Sequence, residues 1–338
     1  MSRAQLTSTD QQNSGGPVSP FVAGKNKIIN GDFGIWQRGT SFAINTATVS
    51  FAADRFATYS EFTGGSITVS RQTFTPATAP VSGYESQYYL RWAQSATTGG
   101  TNPTSGVSQN IEDVRTFAGQ TVTVSFWAKA DASRTITTAY EQYCGTSGSG
   151  YISGSIGSYS VTTSWQRFTT TFTVPSLSGK TLGANSRLQI NWSFPLNTTA
   201  TIDIWGVQLE AGSVATPFTT ATGTLSGELM ACQRYYERWQ AASNNDEFFV
   251  GGAFNTIYLL ARAQYIVQKR IAPSIAVSNY TNFTSYGNNM GNTLTGLAAS
   301  SINSQFCRFD VSGTWVTGLA YDVRSNTSSA YIEFSAEL

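Results

Sequence analysis

Residues 121–130 read TVTVSFWAKA. Val122, Val124, Phe126 and Ala128 fall on one side of this run, and Thr123, Ser125, Trp127 and Lys129 on the other. A period of two marks a β-strand with one face in a core and the other toward water. Ser186–Phe194 repeats the pattern, with Leu188, Ile190, Trp192 and Phe194 against Gln189, Asn191 and Ser193. Gln166–Val174 does so again, with Phe168, Phe172 and Val174 opposite Arg167, Thr169, Thr171 and Thr173. Strands wetted on one face belong to antiparallel sheets rather than to buried parallel ones.

Working outward, Ser66–Phe74, Gln87–Gln94, Arg134–Tyr143 and Thr201–Glu210 are further strand candidates, separated by turn-rich spacers such as Thr98–Gly106 and Gly145–Gly157. About ten strands between Lys27 and Phe218 fit a jelly-roll β-sandwich better than a seven-strand immunoglobulin sandwich. From Leu225 to Trp239 the period changes. Leu225, Leu229, Cys232, Tyr235, Tyr236 and Trp239 recur at steps of three and four, which predicts a connecting helix, with Ser226 able to cap it and Glu228 in its first turn. Strands resume at Glu247–Phe254, Thr256–Val267, Ser274–Ser278, Gln305–Val311, Thr314–Tyr321 and Ala330–Glu337, around a long Asn/Gly/Ser/Thr loop at Asn279–Gly296. The expected layout is all-β: a flexible arm over 1–25, a jelly roll over 26–222, a boundary helix over 223–240 and a smaller β-sandwich over 241–338.

Composition narrows the function. Charged residues make up only 12% of the chain, and the net charge is +1. Such a balance gives no field to draw in nucleic acid or an anionic membrane, so neither is expected as a partner. Histidine is absent, which removes the commonest general base and metal ligand. Cys144, Cys232 and Cys307 lie too far apart for a metal box and read as buried free thiols. No nucleophile elbow, zinc motif or phosphate loop occurs. Adjacent Glu112 and Asp113 would point to opposite faces of a strand, while Glu141 and Asp203 lie on different strands that can in principle meet. The reading is a binding protein without catalysis, cofactor or metal. The polar N-terminus from Met1 to Gly24 lacks the pattern of a signal peptide, and no apolar run approaches a membrane span. Virions that assemble in the cytoplasm and leave by lysis need neither.

Three segments together resemble a known family: NKIINGDFGIWQRG at 26–39, IEDVRTFAGQTVTVSFWAKA at 111–130, and TIDIWGVQLEAGSVATPFTTATGTLSGELMACQRYYERW at 201–239. The arrangement is similar to tail-fibre and related appendage proteins of tailed bacteriophages. In these, a jelly roll like the family-4/9/22 carbohydrate-binding modules precedes a QRYYE-type helix and a C-terminal β domain. The resemblance spans about 26–338. It implies a homo-oligomeric virion fibre, commonly a trimer, attached to other virion proteins through the N-terminal arm and engaging a glycan on the host surface. Such modules often hold a structural calcium. Here Gly34 stands where the first acidic ligand would fall, and Trp205 and Gly206 occupy the late position, leaving Asp32 and Asp203 nearby; no calcium site is expected. Two rivals remain: a purely structural virion component, and a carbohydrate-binding protein of a bacterial glycan-degrading system.

Sugars offer hydroxyls and weakly apolar C–H faces, so their sites need amide side chains and aromatic platforms. Two places supply both. The Asn279–Gly296 loop carries Tyr280, Asn282, Phe283, Tyr286, Asn288 and Asn289, and recognition is placed there because the far end of a fibre lies opposite its attachment arm. In the jelly roll, Trp127, Tyr89 and Arg91 sit on polar-facing strand positions, as do Gln189 and Asn191. Trp127 is either a platform for a pyranose or a ring packed under a loop.

Overall fold

The computed structural model describes residues 24–44, 50–81, 84–96, 104–287 and 290–338. The expected arm therefore lies outside the described residues except for Gly24 and Lys25. Those two are docked: Gly24 N donates to the Ala221 carbonyl at 2.6 Å, and Lys25 pairs with Glu210 at 3.0 Å. The chain divides into two compact units, 1–228 and 229–338. No helix among the described residues is long and apolar enough to cross a membrane.

The first unit is a jelly-roll sandwich. Its strands are β1 (Ser41–Ile44), β2 (Ser50–Phe51), β3 (Phe56–Glu61), β4 (Ile67–Thr73), β5 (Tyr88–Gln94), β6 (Thr104–Ile111), β7 (Thr121–Ala130), β8 (Arg134–Tyr143), β9 (Ile152–Val161), β10 (Gln166–Thr173), β11 (Arg187–Ser193) and β12 (Ala200–Ala211). They form two antiparallel six-stranded sheets, one ordered β1-β4-β5-β12-β7-β10 and the other β2-β3-β6-β11-β8-β9. The inward half of the alternation read from 121–130 is realised: Val122, Val124, Phe126 and Ala128 enter the core with Leu188, Ile190 and Trp192 of the opposite sheet, but Thr123, Ser125 and Trp127 on the other face are buried as well rather than wetted. The spacer expected at Gly145–Gly157 is in part β9, because Ile156, Tyr159 and Val161 give that edge strand a core face to bury.

The 26–39 motif fastens the frame. Asn26 bonds Val207 and Thr219 carbonyls and receives Ile28 and Leu209 amides. Asn30 holds the carbonyls of Ile35 and Asp54 through its side-chain amide, and its own N–H donates to Glu228 at 2.7 Å. Gly31 is obligatory, since a Cβ there would lie 2.1 Å from the Val207 carbonyl oxygen.

The boundary helix α1 is Leu225–Gln233, shorter than expected. Tyr236–Gln240 is instead strand β13, because its residues find a sheet partner and a core. The second unit continues with β14 (Glu247–Ala253), β15 (Tyr258–Gln264), β16 (Ser274–Val277), β17 (Phe283–Gly287), β18 (Met290–Thr293), β19 (Gly296–Ser300), β20 (Phe306–Ser312), β21 (Ala320–Ser325) and β22 (Tyr331–Ser335). A seven-stranded sheet β18-β17-β21-β14-β15-β20-β19 faces a three-stranded sheet β13-β22-β16 across one core that includes Phe249, Phe309, Ile332 and Phe334. Two expectations are corrected. Thr314–Leu319 is not strand: Trp315 tucks in to donate to the Ile257 carbonyl at 2.9 Å, and Gly318 turns the chain at φ +82° before β21. The Asn279–Gly296 segment is not an irregular loop but a single 3-10 turn, Tyr280–Asn282, followed by the β17–β18 hairpin and the start of β19. Phe283 and Ser285 point inward there and pair with β21.

The QRYYERW run contributes a buried ion pair. Glu237 and Lys269 meet with both side chains fully inaccessible. Lys269 also donates to the Gln233 carbonyl at 2.6 Å, and Trp239 Nε1 donates to Glu237 at 2.6 Å. Burial pulls the Lys269 ammonium below its ordinary pKa, opposed by Glu237. A pair so satisfied tolerates burial, whereas removal of one partner would strand a charge in the core at a cost of about 3–5 kcal/mol.

Candidate functional site

The open polar surface of the first unit is the outer face of the β2-β3-β6-β11-β8-β9 sheet. Because β11 sends Leu188, Ile190 and Trp192 into the core, Arg187, Gln189 and Asn191 lie on the outer side, Arg187 and Gln189 partly exposed and Asn191 itself buried. Gln189 lies opposite Glu141 of β8 and Asn110 of β6, and Arg187 opposite Tyr143. Gln189 Nε2 donates to Asn191 Oδ1 at 2.6 Å, and Asn191 Nδ2 donates to Glu141 Oε1 at 3.1 Å. These bonds preorganise an amide–amide–carboxylate row on a rigid sheet. Tyr143 and Tyr151 stack at 4.9 Å and 25°, with the Arg187 guanidinium 4.5 Å over Tyr143. Tyr151 is 61% exposed, and Arg187 Nε has no hydrogen-bond partner among the described residues. At the other end of the face the Tyr59 ring lies over Gly106, where a Cβ would come within 2.5 Å of its hydroxyl. That hydroxyl bonds Ser193 Oγ at 2.9 Å, and burial holds its pKa well above the ordinary phenol value. The face thus combines aromatic surface with fixed donors and acceptors, the chemistry that recognises vicinal hydroxyls.

The opposite sheet looks alike in sequence but not in space. Trp127, Tyr89, Trp205, Phe74 and Phe218 form a second small core on its outer side. Trp127 and Trp205 are 5.3 Å apart, Trp205 and Phe218 4.9 Å, and Phe74 and Tyr89 4.7 Å. A β-bulge between Trp205 and Gln208 makes the arrangement possible. Its Gly206, at φ +65°, leaves room for the Trp127 ring, 2.7 Å from where a Cβ would stand. Trp127 and Tyr89 are corrected as candidates: both rings are buried, and neither offers an open platform. Arg91 is committed as well, donating to both Asp203 oxygens at 2.7 and 2.9 Å, with Lys129 3.6 Å from the same carboxylate. Asp203 therefore has cationic partners, and Asp32 accepts from Gly34 N at 3.3 Å and the Tyr84 hydroxyl at 3.4 Å. Glu141 and Asp203 stand on different sheets and do not form a carboxylate pair.

In the second unit Phe283 is only 2% exposed, inside the core against Phe248, and is corrected as a binding residue. Tyr280 and Tyr286 are exposed, with Arg324 5.4 Å from the Tyr286 ring. Asn282 is held at the turn by its backbone, which accepts from Asn326 N at 2.6 Å. Asn288 and Asn289 lie outside the described residues. Sequence reasoning missed Glu141, Tyr143, Tyr151 and Arg187. The alternation of Arg134–Tyr143 places Glu141 and Tyr143 on one face, but Tyr151 falls in the turn-rich Gly145–Gly157 spacer.

Comparison with known proteins bears on the first unit. Residues 71–189 match a family model described as a carbohydrate binding domain, so the first unit holds a segment of carbohydrate-binding-module type. Tailspike protein 4 of bacteriophage CBA120 is 17% identical with a TM-score of 0.33, over 58% of this chain and 22% of that one. The CBM22-1–GH10 modules of Clostridium thermocellum xylanase 10B, solved with xylohexaose, are 9% identical with a TM-score of 0.35, over 56% and 29%. The CBM22-1 xylan-binding domain of Paenibacillus barcinonensis Xyn10C is 14% identical with a TM-score of 0.34, over 57% and 98%. The chain thus spans less than a third of the first two proteins. No curated protein matches the sequence.

Proposed function

We propose that the first unit binds a glycan across the outer face of the β2-β3-β6-β11-β8-β9 sheet, without catalysis, and that the protein is a virion appendage of a tailed phage that fixes on a host-surface glycan. The observation that carries the binding role is the Tyr143–Tyr151 stack beside the Glu141–Asn191–Gln189 row, formed largely within the segment that matches the carbohydrate-binding family. The three sequence segments quoted above support the virion role. In this reading the protein is a homo-oligomer, a trimer by family resemblance, and residues 1–25 attach it to other virion proteins. A printed glycan array probed with the full chain tests the binding role: spots that vanish for Tyr143→Ala/Tyr151→Ala support it, and an array without such spots refutes it. Immunogold labelling of intact particles tests the virion role. Light scattering that finds only single chains of 36.3 kDa would exclude the oligomer.

A further inference from the structure

The open side of the seven-stranded sheet in the second unit carries a groove that the reading above does not use. It encloses about 480 Å³ and is lined by Phe254, Tyr258, Leu260, Arg308 and Asp310. We propose that it is a second saccharide site, taking a short uncharged oligosaccharide and working independently of the face in the first unit.

Three features point to that ligand class. Phe254 and Tyr258 are 69% and 43% exposed, although the same unit buries Phe249, Phe309, Trp315 and Phe334 in its core. Rings left in water beside a concavity are platforms for a ligand with weakly apolar faces. The same lining holds a bidentate ion pair on β20. Arg308 Nε donates to Asp310 Oδ1 at 2.8 Å and Nη2 to Oδ2 at 3.3 Å, while Nε also reaches Ser300 Oγ at 3.1 Å. An arginine has five N–H donors and a carboxylate about four acceptor positions, so the locked pair keeps donors and acceptors side by side for vicinal hydroxyls. The charges of the lining cancel, and the neighbouring Arg262 is engaged 4.0 Å over Phe306. Nothing in the lining therefore singles out an anion or a cation. A protein surface is a poorer fit, because interface centres are depleted in charge and here the charge lies among the groove's lining residues.

Geometry sets the size of the ligand. Asp310 pairs with Leu260 on one side and Ala298 on the other, and Leu260 pairs with Gly252. A Cβ on Gly252 would meet nothing within 4 Å, so the space above the sheet is open there. The row from Gly252 to Ala298 crosses four strands, roughly 14 Å at the usual strand spacing, which suits several linked rings better than one.

The test is a printed array of neutral and acidic oligosaccharides probed with the full chain, its Phe254→Ala/Tyr258→Ala and Arg308→Lys variants, and the Tyr143→Ala/Tyr151→Ala variant. The expected result is a set of neutral spots that the two groove variants lose and the first-unit variant keeps, with melting temperatures unchanged. Titration of such a sugar should show affinity falling about ten-fold per ring removed. Any first-unit spots report on the earlier proposal alone, so the two readings fail separately. If no spot depends on Phe254 and Tyr258, the inference is overturned. It is equally overturned if only acidic spots depend on them, or if the groove variants lower the molar mass in light scattering while every spot persists, which would make the groove a contact between copies.

Discussion

The two outer faces of the jelly roll begin from the same kind of strand, aromatic residues set among Thr, Ser, Gln and Asn, and end in opposite states. On the β1-β4-β5-β12-β7-β10 sheet the chain after β12 returns with Phe218, and the aromatics close into a second core. On the β2-β3-β6-β11-β8-β9 sheet Tyr143 and Tyr151 stack in the open, and the amide row beside them stays accessible at Gln189. An aromatic on a polar strand face is therefore not a binding residue by itself. What decides is whether another segment of chain arrives to cover it.

The largest expected effect breaks the covered face. Trp205→Ala removes a fully buried indole and should cost about 3–5 kcal/mol, read as a lower denaturation midpoint of the first unit; a loss below ~1 kcal/mol would mean that the cluster is not a core. The second unit repeats the contrast on one hairpin. Phe283→Ala should likewise cost about 3–5 kcal/mol, whereas Tyr286→Ala, at an exposed site, should stay within about 0.5 kcal/mol; equal effects on the melting temperature would erase the distinction. On the open face Tyr151→Ala should leave stability within about 0.5 kcal/mol and weaken glycan binding about ten-fold by titration.

The smallest effect concerns the carboxylates that fasten the frame. Burial raises the pKa of Asp54 and Glu228 above their ordinary values of 3.8 and 4.5, outweighing the Arg38 charge near Asp54 and the Asn30 amide on Glu228. Each keeps its proton to higher pH in the folded than in the unfolded chain, so stability falls as pH rises through that window. Glu210 acts in the opposite sense, because hydrogen bonds from Thr216 and Gln208 outweigh its burial. The first unit should melt slightly higher near about pH 5 than at neutrality, and Asp54→Asn should reduce the difference in a calorimetric pH series.

Much of the fold is legible in the sequence because a period of two is a local signal. The runs at 121–130 and 186–194 show which side chains enter the inter-sheet core before any partner is known, but not that Thr123, Ser125, Trp127 and Asn191 on their other faces are buried as well. Helix length was not legible. Tyr235, Tyr236 and Trp239 satisfy a helical period, yet β22 offers Tyr236–Gln240 a ladder, and Glu237 needs Lys269, which no local pattern announces. The candidate site was half legible for the same reason. Gln189 and Asn191 lie on a face defined by their own strand, whereas the cover over Trp127 comes from residues some ninety positions later, and the stack on Tyr143 comes from Tyr151, just before β9 in a glycine- and serine-rich stretch that reads as a turn.

Strand order also fixes when each unit can exist. β12, last of the jelly-roll strands to be made, lies between β5 and β7, and β22 lies between β13 and β16. On the ribosome each unit thus waits with a gap in the middle of a sheet, its neighbours holding unpaired edges, until the final strand emerges to fill it. Pairings as distant in sequence as Tyr236 with Ser335 make closure slow and abrupt. A nascent chain stalled before β22 would display two open ladders to any neighbouring copy, so strand exchange between growing chains is the natural misassembly of this architecture.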